Sequence, residues 1–210
     1  MFRSNRSGFT LVELMVVIAI LGLLVSVLAF AVGRHYIKAQ ADLEKVQLKD
    51  LANGLNQSLI DRRHNATLRA ADRKDHAGRA FWQDCFQYGL LDGSLRKCLV
   101  SQHSGDVIAP EGTTIEAENC SYTGPRLGEL RDIMSARGNK RRVMMTHNTR
   151  NWHNYESIGY GAVVMWSDSE VADYMNAEQA EAEHGITAEE WAAPADNLYG
   201  RKAPFDRTFE

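Results

Sequence analysis

One acid, Glu13, stands inside a long uncharged run, Phe9–Gly33, and the 20 residues from Leu14 to Gly33 carry no charge. A carboxylate near the start of such a run is costly in hydrocarbon, so it is a functional candidate by default. The other residues that could do chemistry are scattered. The seven histidines stand at 35, 64, 76, 103, 147, 153 and 184, and none shows the i, i+4 or H-x-x-E-H spacing of a metal-binding helix. They read as surface residues. Asp168, Glu170 and Asp173 could gather a calcium ion through hard oxygen ligands, but their spacing is not that of an EF-hand loop, and they read as a solvated acidic face. No G-x-S-x-G, phosphate-binding or dinucleotide fingerprint occurs, so no catalytic residue can be named and the chain is not expected to be an enzyme. No cofactor and no bound metal are expected.

The elements that must position Glu13 follow from composition. With 44% apolar and 24% charged residues and only four prolines, the chain belongs to neither the disordered nor the proline-rich classes. Twenty helical residues span about 30 Å, the thickness of the bilayer's hydrocarbon. Leu14–Gly33 therefore reads as a membrane-spanning helix. Arg3 and Arg6 precede it in a short acid-free tail, which puts residues 1–8 in the cytoplasm and everything after Gly33 outside it. The run is longer than a signal peptide's apolar core and lacks an A-x-A end.

No proline interrupts Arg34–Asp61, and Leu48, Leu51, Leu55 and Leu59, with Ala41 ahead of them, recur at helical steps. One continuous helix is expected from Phe9 to Asp61, about 80 Å long. Its outer half should pack this stripe on a globular domain, with Glu44, Gln47 and Lys49 on the wet face. Residues 62–79 are basic and aperiodic and read as an exposed extension or loop. Residues 80–100 suggest short helices broken near Asp92-Gly93. Thr113–Ala117 is a strand candidate in a loop-rich stretch, and a helix is expected after Pro125, ending near Gly138. Val143–His147 and Ser157–Trp166 read as strands, with Ser167–Ser169 as a turn and Glu170–Tyr174 returning. Asn176 with Gln179, and Thr187 with Glu190, look like capping boxes. Short helices and coil should finish the chain. The expected fold class is α+β, with a single transmembrane span.

The segment Gly8-Phe9-Thr10-Leu11-Val12-Glu13-Leu14-Met15-Val16-Val17-Ile18-Ala19-Ile20 resembles the N-terminal motif of type IV pilins and type II secretion pseudopilins. The resemblance implies that residues 1–8 are a leader cut after Gly8 by a prepilin peptidase, and that the exposed amine of Phe9 is then N-methylated. It implies an assembly role for Glu13. The division that follows is leader 1–8, transmembrane half-helix 9–33, amphipathic extracytoplasmic half-helix 34–61 and globular domain 62–210. The implied function is that of a structural subunit of a pilus or pseudopilus, or alternatively of a minor pilin acting as a binding module in adhesion or DNA uptake. The implied partners are the prepilin peptidase, sister subunits, an inner-membrane assembly platform and the lipid of the inner membrane. Phe30 stands where many members carry proline, which fits a minor or lineage-specific subunit.

Two expectations concern the extracytoplasmic part. Thiols oxidise there, and of the three pairings open to Cys85, Cys98 and Cys120, Cys85–Cys98 closes the shortest loop and links two short helices; it is the pairing chosen. Charge is also segregated. Arg137, Lys140, Arg141 and Arg142 cluster near Trp152 and Tyr155, whereas residues 151–200 contain ten acids and no lysine or arginine. Such faces suit head-to-tail contact between subunits. Nucleic acid is not expected as a partner, given a net charge of -3.

Overall fold

The computed structural model describes residues 9–69, 72–135, 143–147, 161–167, 172–184, 200–202 and 205–206. The chain divides into two compact units, residues up to 39 and residues from 40 onward, with the junction inside the first helix. That helix, α1, runs Leu11–Ile60 and is 50 residues long. It stops where the Asp61 side chain takes over the next amides. One Asp61 oxygen accepts the Arg63 backbone N–H at 2.9 Å, and the other accepts the Arg63 guanidinium at 2.6 Å, starting a 3-10 turn at Arg62–His64. Those hydrogen bonds from Arg63 hold the Asp61 carboxyl down at about 2.

In the first unit α1 is long and apolar enough to cross a membrane, and its large apolar side chains from Leu11 to Val32 are all exposed. A stripe would suffice for packing on a domain; an apolar surface on every side demands an apolar solvent or other helices. Ser26, the one hydroxyl between Glu13 and Gly33, donates to the Gly22 carbonyl at 2.6 Å, so it too is satisfied within the helix.

In the second unit α1 buries Ala41, Glu44, Leu48, Leu51, Ala52, Leu55 and Ser58. The expected leucine stripe is there, with Leu59 packed at its margin. Gly54 is not merely tolerated: a Cβ there would approach Leu91 Cδ2 to 2.7 Å, so its absence admits Leu91 against the helix. Glu44 corrects the expectation of a wet-face residue, because it has no exposed surface at all. Its spacing from Ala41 and Leu48 places it in the stripe, and its residue type was the misleading signal.

Around this stripe lie α2 (Asn65–Leu68), α3 (Gly78–Gln87), a 3-10 segment Gly93–Leu99 and α4 (Leu130–Ser135). Residues 74–78 are not a free extension: Gly128 N–H donates to the Lys74 carbonyl, Leu127 N–H to that of His76 and Gly78 N–H to that of Gly124, each at 2.9 Å. Thr113–Ala117 is not a strand. Its backbone partners are side chains and turns, with Ile115 N–H donating to Gln83 Oε1 at 2.8 Å and a 3-10 turn following at Ala117–Asn119.

An antiparallel sheet of order β1-β2-β3-β4 is built from Tyr122–Thr123, Val143–His147, Ala162–Trp166 and Ala172–Met175. The short β1 falls in the stretch expected to be loop; it pairs Tyr122 with His147, a contact two residues long that no periodicity announces. Gly161 is required by close approach, since a Cβ there would collide with the Met175 carbonyl across the β3–β4 pair. The Asn176–Gln179 capping box opens α5 (Ala177–His184): Gln179 N–H donates to Asn176 Oδ1 at 2.8 Å, and Asn176 N–H to Gln179 Oε1 at 3.1 Å. A two-stranded sheet, β5 (Gly200–Lys202) with β6 (Phe205–Asp206), replaces coil near the C-terminus. The core joins Leu48, Leu51 and Leu55 to Phe81, Trp82, Tyr122, Ile133, Met145 and Val163. A long helix packed by its outer half on helices and a small antiparallel sheet is α+β.

Candidate functional site

The N-terminal motif begins at the start of α1. Thr10 is the residue before the first helical turn, and Glu13 lies three positions on. Thr10 Oγ1 accepts the Glu13 backbone N–H at 3.2 Å, while Glu13 Oε2 accepts the Thr10 backbone N–H at 2.9 Å and the Thr10 hydroxyl at 2.8 Å. This is a reciprocal capping box. It satisfies two amides that the helix itself leaves without partners, and it sets a carboxylate against the positive end of the helix dipole. The signal for it in the sequence is the threonine–x–x–glutamate spacing before an apolar run. Among the described residues only Oε2 is engaged, which leaves Oε1 open to a further donor. Phe9 is 78% exposed. Gly8 and the leader lie outside the described residues.

A second polar cluster lies deep in the second unit. Glu44, Ser101 and His147 are all buried. His147 Nδ1 accepts the Val163 N–H at 3.3 Å, so its proton sits on Nε2 and is donated to Glu44 Oε2 at 3.0 Å. The Ser101 hydroxyl donates to Glu44 Oε1. Tyr122 stacks on the imidazole, with centroids 5.1 Å apart. A nucleophile triad needs the imidazole against the hydroxyl with the acid behind it. Here the acid stands between the other two. The arrangement is a buried clamp joining α1, the loop at Ser101 and β2. His147 therefore departs from the expected scatter of surface histidines. His76 stays at the surface, its side chain 43% exposed, with Nδ1 at 2.7 Å from Asp84 Oδ2. No group of three or more potential metal ligands occurs among the described residues. The side chains of Asp168, Glu170 and Asp173, and the basic cluster at 137–142 with Trp152 and Tyr155, lie outside the described residues, as do Thr187 and Glu190.

The expected Cys85–Cys98 disulfide is not formed: both are free thiols buried in the core. The shortest loop was an entropic criterion, whereas a bridge also requires facing Cβ atoms at close range. Cys120 Sγ donates to the Tyr122 carbonyl at 2.9 Å. Burial raises all three thiol pKa values, Cys120 to about 12. Alkylation at pH 8 should accordingly be negligible in the folded chain and reach three thiols on denaturation. A group whose folded pKa is raised stabilises the fold below its unfolded value. Above that value the unfolded chain loses protons that the folded chain retains. Stability should thus fall between pH 9 and about 12, as read by unfolding midpoints in alkaline buffers under reducing conditions.

No curated protein and no solved structure matches the chain. The family model described as the prokaryotic N-terminal methylation motif matches residues 3–29, which contain the capped helix start, Phe9 and Glu13. This chain therefore carries the prokaryotic N-terminal methylation motif, the hallmark of the type IV pilins and pseudopilins, at the head of a helix able to cross a membrane.

Proposed function

We propose that the chain is a structural subunit of a type IV pilus or type II secretion pseudopilus. The observation that carries this reading is the methylation motif at residues 3–29, placed on a helix whose large apolar side chains from Leu11 to Val32 are all exposed. A prepilin peptidase would cut after Gly8, and the amine of Phe9 would be methylated. The processed chain rests in the inner membrane with its C-terminal part outside the cytoplasm, and an assembly platform moves it into a filament among sister subunits. Supporting the orientation are Arg3 and Arg6 in the short tail. Glu13 would meet the Phe9 amine of a neighbouring subunit through Oε1, while Oε2 keeps the helix capped.

Mass spectrometry of the N-terminus from cells containing the peptidase tests this. The expected species begins at Phe9 and carries one methyl group. A chain still beginning at Met1 would remove the basis of the proposal.

A further inference from the structure

A polar groove runs along one face of α3. Arg79, Gln83 and Gln87 form its floor at four-residue steps, covering about 12 Å of helix. Two recesses of about 530 and 380 Å³ meet there and share Gln83 and Thr114. Loop residues Glu111, Thr113 and Glu116 form the opposite wall. Each recess has an arginine. Arg96 closes the larger one. It is buried, its Nη1 donates to the Pro110 and Thr113 carbonyls at 3.0 and 2.9 Å, and its Nε has no acceptor among the described residues. It makes no ion pair among the described residues. Arg79, in the smaller recess, lies 3.5 Å from Glu116 and is half exposed.

A buried guanidinium held by carbonyls alone retains an unmet demand for negative charge. Glu111 sits on the same wall, its carboxyl lying over Gly93, where a Cβ would collide with it. Gly93 and Arg96 are three residues apart on a 3-10 segment and so share a face. The groove thus offers two cations, two carboxylates and a row of amides and hydroxyls. Phe86, its largest apolar side chain, lies under the Arg96 guanidinium at 5.2 Å. This lining does not suit an apolar ligand. A polyphosphate concentrates several charges and would meet stronger repulsion from Glu111 and Glu116 than single carboxylates each set on an arginine. Anionic groups spaced along a chain rich in hydroxyl donors satisfy all of it.

We propose that this groove binds an acidic glycan, with uronate carboxylates at Arg96 and Arg79 and sugar hydroxyls on Gln83, Gln87 and Glu111. The site does not depend on the filament reading.

Calorimetry on the full chain, in micelles of a detergent without a sugar headgroup, tests it with tri-galacturonate as probe. Maltotriose, acetate and oligothymidylate are the controls. Saturable binding is expected for the uronate alone. Gln87→Ala and Arg79→Gln, both at exposed positions, should each weaken it about tenfold or more without moving the melting temperature. Equal binding of maltotriose, acetate or oligothymidylate would overturn the proposal. So would full affinity in both variants, or no saturation by the uronate at millimolar concentration.

Discussion

Replacing Glu13 by valine is expected to leave membrane insertion and cleavage after Gly8 intact while incorporation into filaments falls at least tenfold. A carboxylate at this depth costs on the order of 2.5–3.5 kcal/mol by insertion scales, so valine should insert more readily than glutamate. What is lost is attraction. A carboxylate and an amine about 4 Å apart interact by roughly 4 kcal/mol at an effective dielectric near 20. That is comparable to the desolvation cost, so the pair would confer register and selection of the incoming subunit more than net stability. The capping box complicates a single substitution, because valine removes the cap together with the charge. Glu13→Gln separates them: glutamine can still accept the Thr10 N–H at the third helical position but carries no charge. Filament incorporation by the glutamine variant should be as poor as by the valine variant. Normal incorporation of the glutamine variant would assign Glu13 to helix capping alone, and Thr10→Ala, costing about 1 kcal/mol of helix start, should then reproduce the valine defect.

Glu44→Ala should cost about 3–5 kcal/mol of stability, among the largest effects of any single substitution in the second unit. Removing the carboxylate leaves the His147 Nε2–H and the Ser101 hydroxyl buried without their acceptor, at a site with no exposed surface. His147→Ala should cost a similar amount and also takes away the ring against Tyr122. Urea unfolding of the full chain in micelles, followed through the buried Trp82 and Trp166, reads both. Glu44→Leu combined with His147→Leu should recover part of the loss, because two apolar side chains leave fewer polar groups stranded. A loss below about 1 kcal/mol for Glu44→Ala would mean that the clamp is incidental to the fold.

The two substitutions differ in how legible their sites were. The position of Glu13 is a matter of sequence order: an acid at fixed spacing from a glycine and an aromatic, before an apolar run. Its capping partner Thr10 was equally local and equally available. Glu44 looked like a surface residue of an amphipathic helix, and its helical phase pointed inward while its charge pointed outward. The cysteines illustrate the same limit, since the loop between Cys85 and Cys98 can be counted along the chain but the facing of their side chains cannot.

What the amino-acid order determined by itself is the part governed by short-range physics. The uninterrupted helix, its all-round apolar segment, the leucine stripe, the Asn176–Gln179 cap and the strands at 143–147 and 162–166 each depend on residues within a few turns of one another. Tertiary structure decided what those elements meet. His147 lies 103 positions from Glu44, and only the docking of β2 on α1 turns an ordinary histidine and an apparently wet glutamate into a buried hydrogen-bonded pair. The groove on α3 arises likewise: Arg79, Gln83 and Gln87 are periodic in the chain, but their opposite wall is supplied by a loop without periodicity, whose backbone amides and carbonyls find their partners in side chains such as Gln83 and Arg96. Satisfying a backbone that forms no regular element requires distant groups, and no local pattern encodes which ones they are.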